Sequence, residues 1–237
     1  MSTLQAPDPV AGDSASQAAP LGTGLLGYAA DVAALARKDL KLELRARDTL
    51  PAMLLFVLST LVVFHFALPA GTAGDAAYGL LWVALVFTAL LGLARAWAPE
   101  REGGALDGLL LAPCDRSAIW LGKSLATLAF LAAAEAVALP AFALFYAPLD
   151  GAALAGVALA SVGICVVGTL LSAMAAASRG REVILPLLFL PLSIPLVVGG
   201  VGSSISPEDG KYLLFLGVYD VLFAILSWAS FDYVVTE

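Results

Sequence analysis

Apolar residues fall into six long runs, separated by short polar breaks and one long one. A membrane-crossing helix needs about 20 apolar residues, from ~30 Å of hydrocarbon and a 1.5 Å rise per residue. The runs lie at about 50–68, 78–94, 124–147, 152–177, 183–201 and 212–235. Each is long enough to span. Buried helices of a soluble protein are usually shorter, and the polar segments here are too small to shield six such helices. The pattern predicts an all-α integral membrane protein with six transmembrane helices.

Two further helices are expected outside the runs. Residues 28–48 mix Val32, Leu35 and Leu42 with many charges, and basic residues flank Asp39 and Glu43 at helical spacing. An amphipathic segment running directly into a span at Leu50 predicts an amino-terminal interfacial helix, its cations facing lipid phosphates. The long break between the second and third runs reads RAWAPEREGGALDGLLLAPCDRSAIWLGK, from Arg95 to Lys123. Glu100, Arg101 and Glu102 lead to the flexible pair Gly103 and Gly104. Ala105 to Leu111 then predicts a short helix carrying Leu106, Leu109 and Leu110, stopped by Pro113. A second helix, capped by Asp115 and starting at Arg116, runs through Ile119 and Trp120 into the third span. A short apolar helix outside the membrane needs a groove, and a partner protein supplies one.

Composition agrees with this pattern. The 237 residues are 61% hydrophobic and only 13% charged, whereas soluble domains are about 45–50% apolar and about 25% charged. A net charge of -7 with few basic residues excludes a nucleic-acid partner. Eleven of the twelve Lys and Arg residues precede the first run, lie between runs two and three, or lie between runs four and five. The opposite side has only Lys211. The positive-inside bias predicts both termini in the cytoplasm. Residues 1–27 contain no Lys or Arg and are expected to form a flexible cytoplasmic tail, leaving 28–237 as the membrane domain.

Candidate chemistry is sparse. SAIWLGKS, Ser117 to Ser124, lacks the first glycine of a phosphate loop and has no preceding strand, so nucleotide is expected on another chain. Glu135 and Asp220 are intramembrane acids without an in-span cation. A charge at mid-bilayer costs about 2.5–3.5 kcal/mol or more, which favours a specific hydrogen-bond partner or a part in a two-state change. His65 is the one histidine and supplies at most a single ligand; no metal site is expected. Cys114 and Cys165 match no zinc or redox spacing. Pro186, Pro191 and Pro195 interrupt the fifth run ahead of Gly199, Gly200 and Gly202, which predicts a kinked or broken helix and a gate near the outer face. Small residues from Gly156 to Ser172 in the fourth run permit close helix contact.

The order of interfacial helix, six spans and a cytoplasmic helix between spans two and three resembles the permease subunits of ABC-2 type ABC transporters. ARKDLKLELRARDTLPAMLLF, EREGGALDGLLLAPCDRSAIWLGK, RGREVILPLLFLPLSIPLV and the closing YDVLFAILSWASFDYVVTE are similar to the cytochrome c maturation protein B family of haem exporter permeases. The resemblance covers about Leu35 to Glu237. It implies a homodimeric permease of the bacterial cytoplasmic (inner) membrane, working in cytochrome c biogenesis. The hydrolysed ATP and its Mg would sit on a separate ABC ATPase subunit, and this chain would hold no cofactor. The complex would engage a haem-handling membrane protein and a periplasmic haem chaperone. Residues 99–122, including Glu100, Arg101, Glu102, Gly103, Leu106, Leu109, Leu110, Asp115 and Arg116, would be the ATPase-coupling element. The cargo would be haem, or the work would be release of the haem-loaded chaperone. The absence of paired histidines and of a tryptophan-rich outer loop leans towards release. A permease for a lipid or drug, or a membrane scaffold without an ATPase, stays open as an alternative.

Overall fold

The computed structural model describes residues 24–68, 74–98, 100, 114–178 and 181–236. Among them are seven long α-helices and no strand. The helices are α1 Leu25–Ala46, α2 Thr49–Ala67, α3 Gly74–Arg95, α4 Arg116–Phe145, α5 Gly151–Ala177, α6 Arg181–Ile205 and α7 Lys211–Thr236. The six from α2 to α7 are long and apolar enough to cross a membrane. The expected short helix of the long break, with Arg101, Glu102, Gly103, Leu106, Leu109 and Leu110, lies outside the described residues. So do residues 1–23 of the expected tail. Helix α1 begins three residues before the expected Tyr28.

Local chemistry sets the helix ends. Arg47 takes the left-handed conformation (φ 56°) and its amide closes α1 on the Glu43 carbonyl. The Thr49 hydroxyl then bonds the Glu43 carboxylate across the turn. Asp115 caps α4 by accepting from the Ser117 amide at 2.9 Å, and Asp150 caps α5 by accepting from the Ala153 amide at 2.7 Å. The segment after Asp115 and the third span form one continuous helix of 30 residues.

Helices α3 and α5 are the most enclosed of the six. Helix α5 packs against α4, α6 and α7, whereas α3 packs against α2, α4, α5 and α6. The core joining them includes Leu81, Trp82, Leu85, Leu93, Leu131, Phe142, Ile164, Phe189 and Leu196. Leu55, Val63 and Phe66 on α2 and Leu214, Val221 and Ile225 on α7 stay exposed. Apolar residues on the outside of such a bundle match a hydrocarbon solvent.

Small residues decide the close contacts. A Cβ at Gly168 would meet the Leu93 side chain at 2.3 Å, and one at Gly156 would meet Ser203 Oγ at 2.1 Å. Different neighbours thus enter different gaps along α5, as close interhelical packing requires. Helix α6 carries Pro186, Pro191 and Pro195 but stays helical from Arg181 to Ile205. Its late glycines receive aromatic rings: Gly200 faces Trp82, and Gly202 faces Tyr212.

Candidate functional site

Two groups of polar residues are buried where the pattern of the chain leads one to expect apolar packing. The first is at the end of the bundle where α1, the end of α3 and the start of α4 meet. Lys123, in the second turn of α4, is only 3% exposed. Its ammonium lies 3.0 Å from Glu100 Oε1 and 3.1 Å from Asp39 Oδ2, and donates to the Ala96 carbonyl at 2.8 Å. These contacts use all three of its donors. Trp97 presents its ring 4.4 Å from the same ammonium. Lys38 completes the group, 2.8 Å from Glu100 Oε1 and 3.1 Å from Asp39 Oδ1.

Two cations and two anions are therefore shared between α1, the chain just beyond α3, and α4. Burial alone acts to raise the Glu100 pKa, but the charge of Lys123 and the hydrogen bonds from Lys38 and Lys123 outweigh it. The carboxyl ends below its ordinary value of 4.5. Burial likewise acts to lower the Lys38 pKa, and the hydrogen bond to Glu100 with the charge of Asp39 reverses this, leaving it raised above 10.5. Glu100 Oε2 is buried without a hydrogen-bond partner among the described residues.

An aromatic layer backs this cluster. Trp97 donates to Ser172 Oγ on α5 at 3.1 Å and stacks on Phe231 of α7. Trp120 donates to the Val166 carbonyl at 3.3 Å. The charge cluster thus touches, through Trp97, two helices that it does not itself include. Arg116 makes an exposed ion pair with Asp232 at 2.8 Å, away from the cluster.

The second group lies deeper in the bundle. Glu135 on α4 accepts from the Ser161 hydroxyl of α5 at 2.5 Å. Asp220 on α7 is 8% exposed, and neither carboxylate oxygen has a hydrogen-bond partner among the described residues. It faces Gly163, where a Cβ would stand 2.4 Å from Oδ1. Ser161 and Gly163 are two positions apart, so they project about 200° apart around α5. The two acids flank α5 from α4 and α7 and do not form a pair.

His65 is at the far end of α2 among the rings of Phe66, Phe145 and Tyr146, at 5.4, 5.1 and 5.8 Å. Among the described residues, no group of three or more His, Cys, Asp and Glu side chains could hold a metal ion. Cys114 and Cys165 are both free.

Of the expected site residues, only Glu100 belongs to the buried charge cluster. Asp115 serves as a helix cap, and Arg116 forms a surface pair. Lys123 was expected to count among the loop cations; instead it is the cluster's centre. The signal available for it was weak: a lysine about two turns into a largely apolar helix.

A family profile described as CcmB protein matches residues 30–230. Among curated proteins, the chain is 31% identical over 172 residues to heme exporter protein B of Rhodobacter capsulatus, covering 70% of this chain and 79% of that protein. It is 32% identical over 173 residues to heme exporter protein B of Paracoccus denitrificans, with the same coverage. Against heme exporter protein B of Bradyrhizobium diazoefficiens it is 28% identical over 179 residues, covering 73% and 80%.

Proposed function

The chain belongs to the CcmB protein family, and on that premise we propose that it is the membrane subunit of a haem exporter complex in the bacterial inner membrane. It is a transporter subunit, and ATP hydrolysis is the work of a separate ABC ATPase. Two copies of the chain form the membrane domain. The end of the bundle carrying the Lys123 cluster faces the cytoplasm, where the ATPase docks. Lys38, Lys41, Arg45, Arg95 and Arg116 lie at or near that end, whereas Lys211 starts α7 at the other, and this asymmetry supports the orientation.

The observation that carries the reading is the buried ion cluster at Glu100. Glu100 lies at the start of the expected coupling segment, 99–122, and its carboxylate is fixed to both α1 and α4. An ATPase pulling on that segment would act on helices rather than on a free loop. On the other side of the membrane, a haem-handling membrane protein and a periplasmic haem chaperone receive the result. A single histidine among aromatic rings offers haem at most one axial ligand. This favours release of the loaded chaperone over passage of haem through the chain.

The test is the triple variant Leu106→Asp, Leu109→Asp and Leu110→Asp. The altered chain is expected to insert into the membrane but no longer co-purify with the ATPase, and cytochrome c maturation is expected to stop. Undiminished recovery of the ATPase with the altered chain would refute the docking part of the proposal.

A further inference from the structure

Helix α1 has a thin apolar attachment. Val32 is its only fully buried side chain, and its packing is chiefly against α4. Leu25, Leu26, Leu42 and Leu44 remain exposed. Three polar or close-packed contacts hold it in place. The Tyr28 and Ser117 hydroxyls are hydrogen-bonded at 3.1 Å. In the middle, α1 runs so close to Gly122 that a Cβ there would stand 2.8 Å from Leu35 Cβ and 3.3 Å from the Val32 carbonyl. Asp39 then meets Lys123. The contacts follow the same order along both helices, so the two run side by side from Tyr28 and Ser117 to Asp39 and Lys123.

The last contact also involves a third element. Lys123 reaches Glu100, which lies beyond α3, and the Ala96 carbonyl. Lys38, next to Asp39 on α1, reaches Glu100 as well. Each charge meets two of opposite sign, and for Lys123 and Glu100, the two buried members, losing a partner is unfavourable.

We infer that Lys123 is a positioning residue: it holds Glu100 and α1 against α4, so that the end of α3, α1 and α4 move as one body. A displacement entering the chain at Glu100 is then delivered to α4 and α1 together. Trp97, resting on the Lys123 ammonium and bonded to Ser172, extends the same contact to α5. What displaces Glu100 rests on the function proposed above. The one-body claim does not.

The experiment measures distances between spin labels at Lys41→Cys on α1 and Leu125→Cys on α4, both exposed positions. Cys114→Ser removes the competing thiol, and Cys165 is buried. The full chain is reconstituted in bilayers with its ATPase, with and without ATP. One narrow distance, unmoved by ATP, is expected. Lys123→Met combined with Glu100→Met removes one cation and one anion together, leaving Lys38 paired with Asp39, so folding is expected to survive. In that variant the distance distribution is expected to broaden. ATP hydrolysis is expected to continue while cytochrome c maturation is lost. If the double variant does not accumulate, Lys123→Gln, which leaves Glu100 and Asp39 each paired with Lys38, gives the same readout.

An unchanged narrow distribution in the variant would overturn the role of Lys123. A shift with ATP in the unaltered cluster would overturn the one-body claim. Failure of the ATPase to co-purify would count against the proposed function alone, because the comparison of widths is also made on the chain by itself.

Discussion

The Ser161 hydroxyl of α5 donates to Glu135 Oε1 of α4 inside the span, so the carboxyl is bonded to a neutral partner and, among the described residues, to no cation. Glu135→Leu leaves Ser161 facing an apolar side chain and deletes the bond. Burying one orphaned hydroxyl costs about 1–3 kcal/mol, and reduced accumulation of the chain is expected. Glu135→Gln keeps an acceptor at the same place and is expected to insert and assemble normally. If ionisation or exchange of partners belongs to the ATP-driven cycle, Gln supports ATPase association but not cytochrome c maturation. Full maturation with Gln would assign Glu135 to structure.

The ion cluster makes stability depend on pH at both extremes. The Glu100 carboxyl is shifted down in the folded chain, so its contribution is fully present above its ordinary value of 4.5 and is lost as pH falls through the folded value. Lys38 is shifted up, so its contribution is fully present below 10.5 and is lost as pH rises through the folded value. Melting temperatures of the purified chain, compared with Glu100→Gln at each pH, isolate the acid limb. The difference between the two proteins is expected to narrow as pH drops below 4.5. A constant difference across that range would refute the assignment.

The legible part of this protein is the part written in contiguous residues. Six apolar runs were enough to locate six helices, because span length follows from membrane thickness and helix rise alone. Asp115 was readable as a cap because capping is local. Lys123 was not readable as a cluster centre. Asp39 and Glu100 are remote from it in sequence, and no periodicity links a helix turn to residues on two other elements. The partners of the late glycines of α6 were hidden in the same way. Next to three prolines they suggested a kinked or broken helix, but nothing local showed that Gly200 and Gly202 face rings from α3 and α7. For Glu135, the need for a hydrogen-bond partner was legible and the identity of Ser161 was not.

That packing yields its own test. A Cβ at Gly200 would stand 2.0 Å from the Trp82 ring, and Trp82 is fully buried. Gly200→Ala is therefore expected to destabilise the chain by about 1–3 kcal/mol through overpacking. Combining it with Trp82→Leu removes the obstructing ring. The double variant is expected to recover part of the loss relative to the sum of the single changes, as judged by thermal unfolding in detergent. Simple additivity would show that the two residues do not meet.

Asp115 separates a structural role from a coupling one. Its side chain accepts from the Ser117 amide at the first turn of α4, and its neighbour Arg116 is paired with Asp232 at an exposed site. Replacing a capping Asp with Ala costs about 0.5–2 kcal/mol, whereas an exposed ion pair contributes about 0.2–1 kcal/mol. Asp115→Ala is expected to lower stability more than Arg116→Ala. Asp115→Ser, which restores an acceptor without a charge, is expected to recover it. If Asp115 also contacts the ATPase through its charge, the Ser variant will be stable but recover less ATPase on co-purification. Equal recovery with Asp and Ser would leave capping as the function of residue 115.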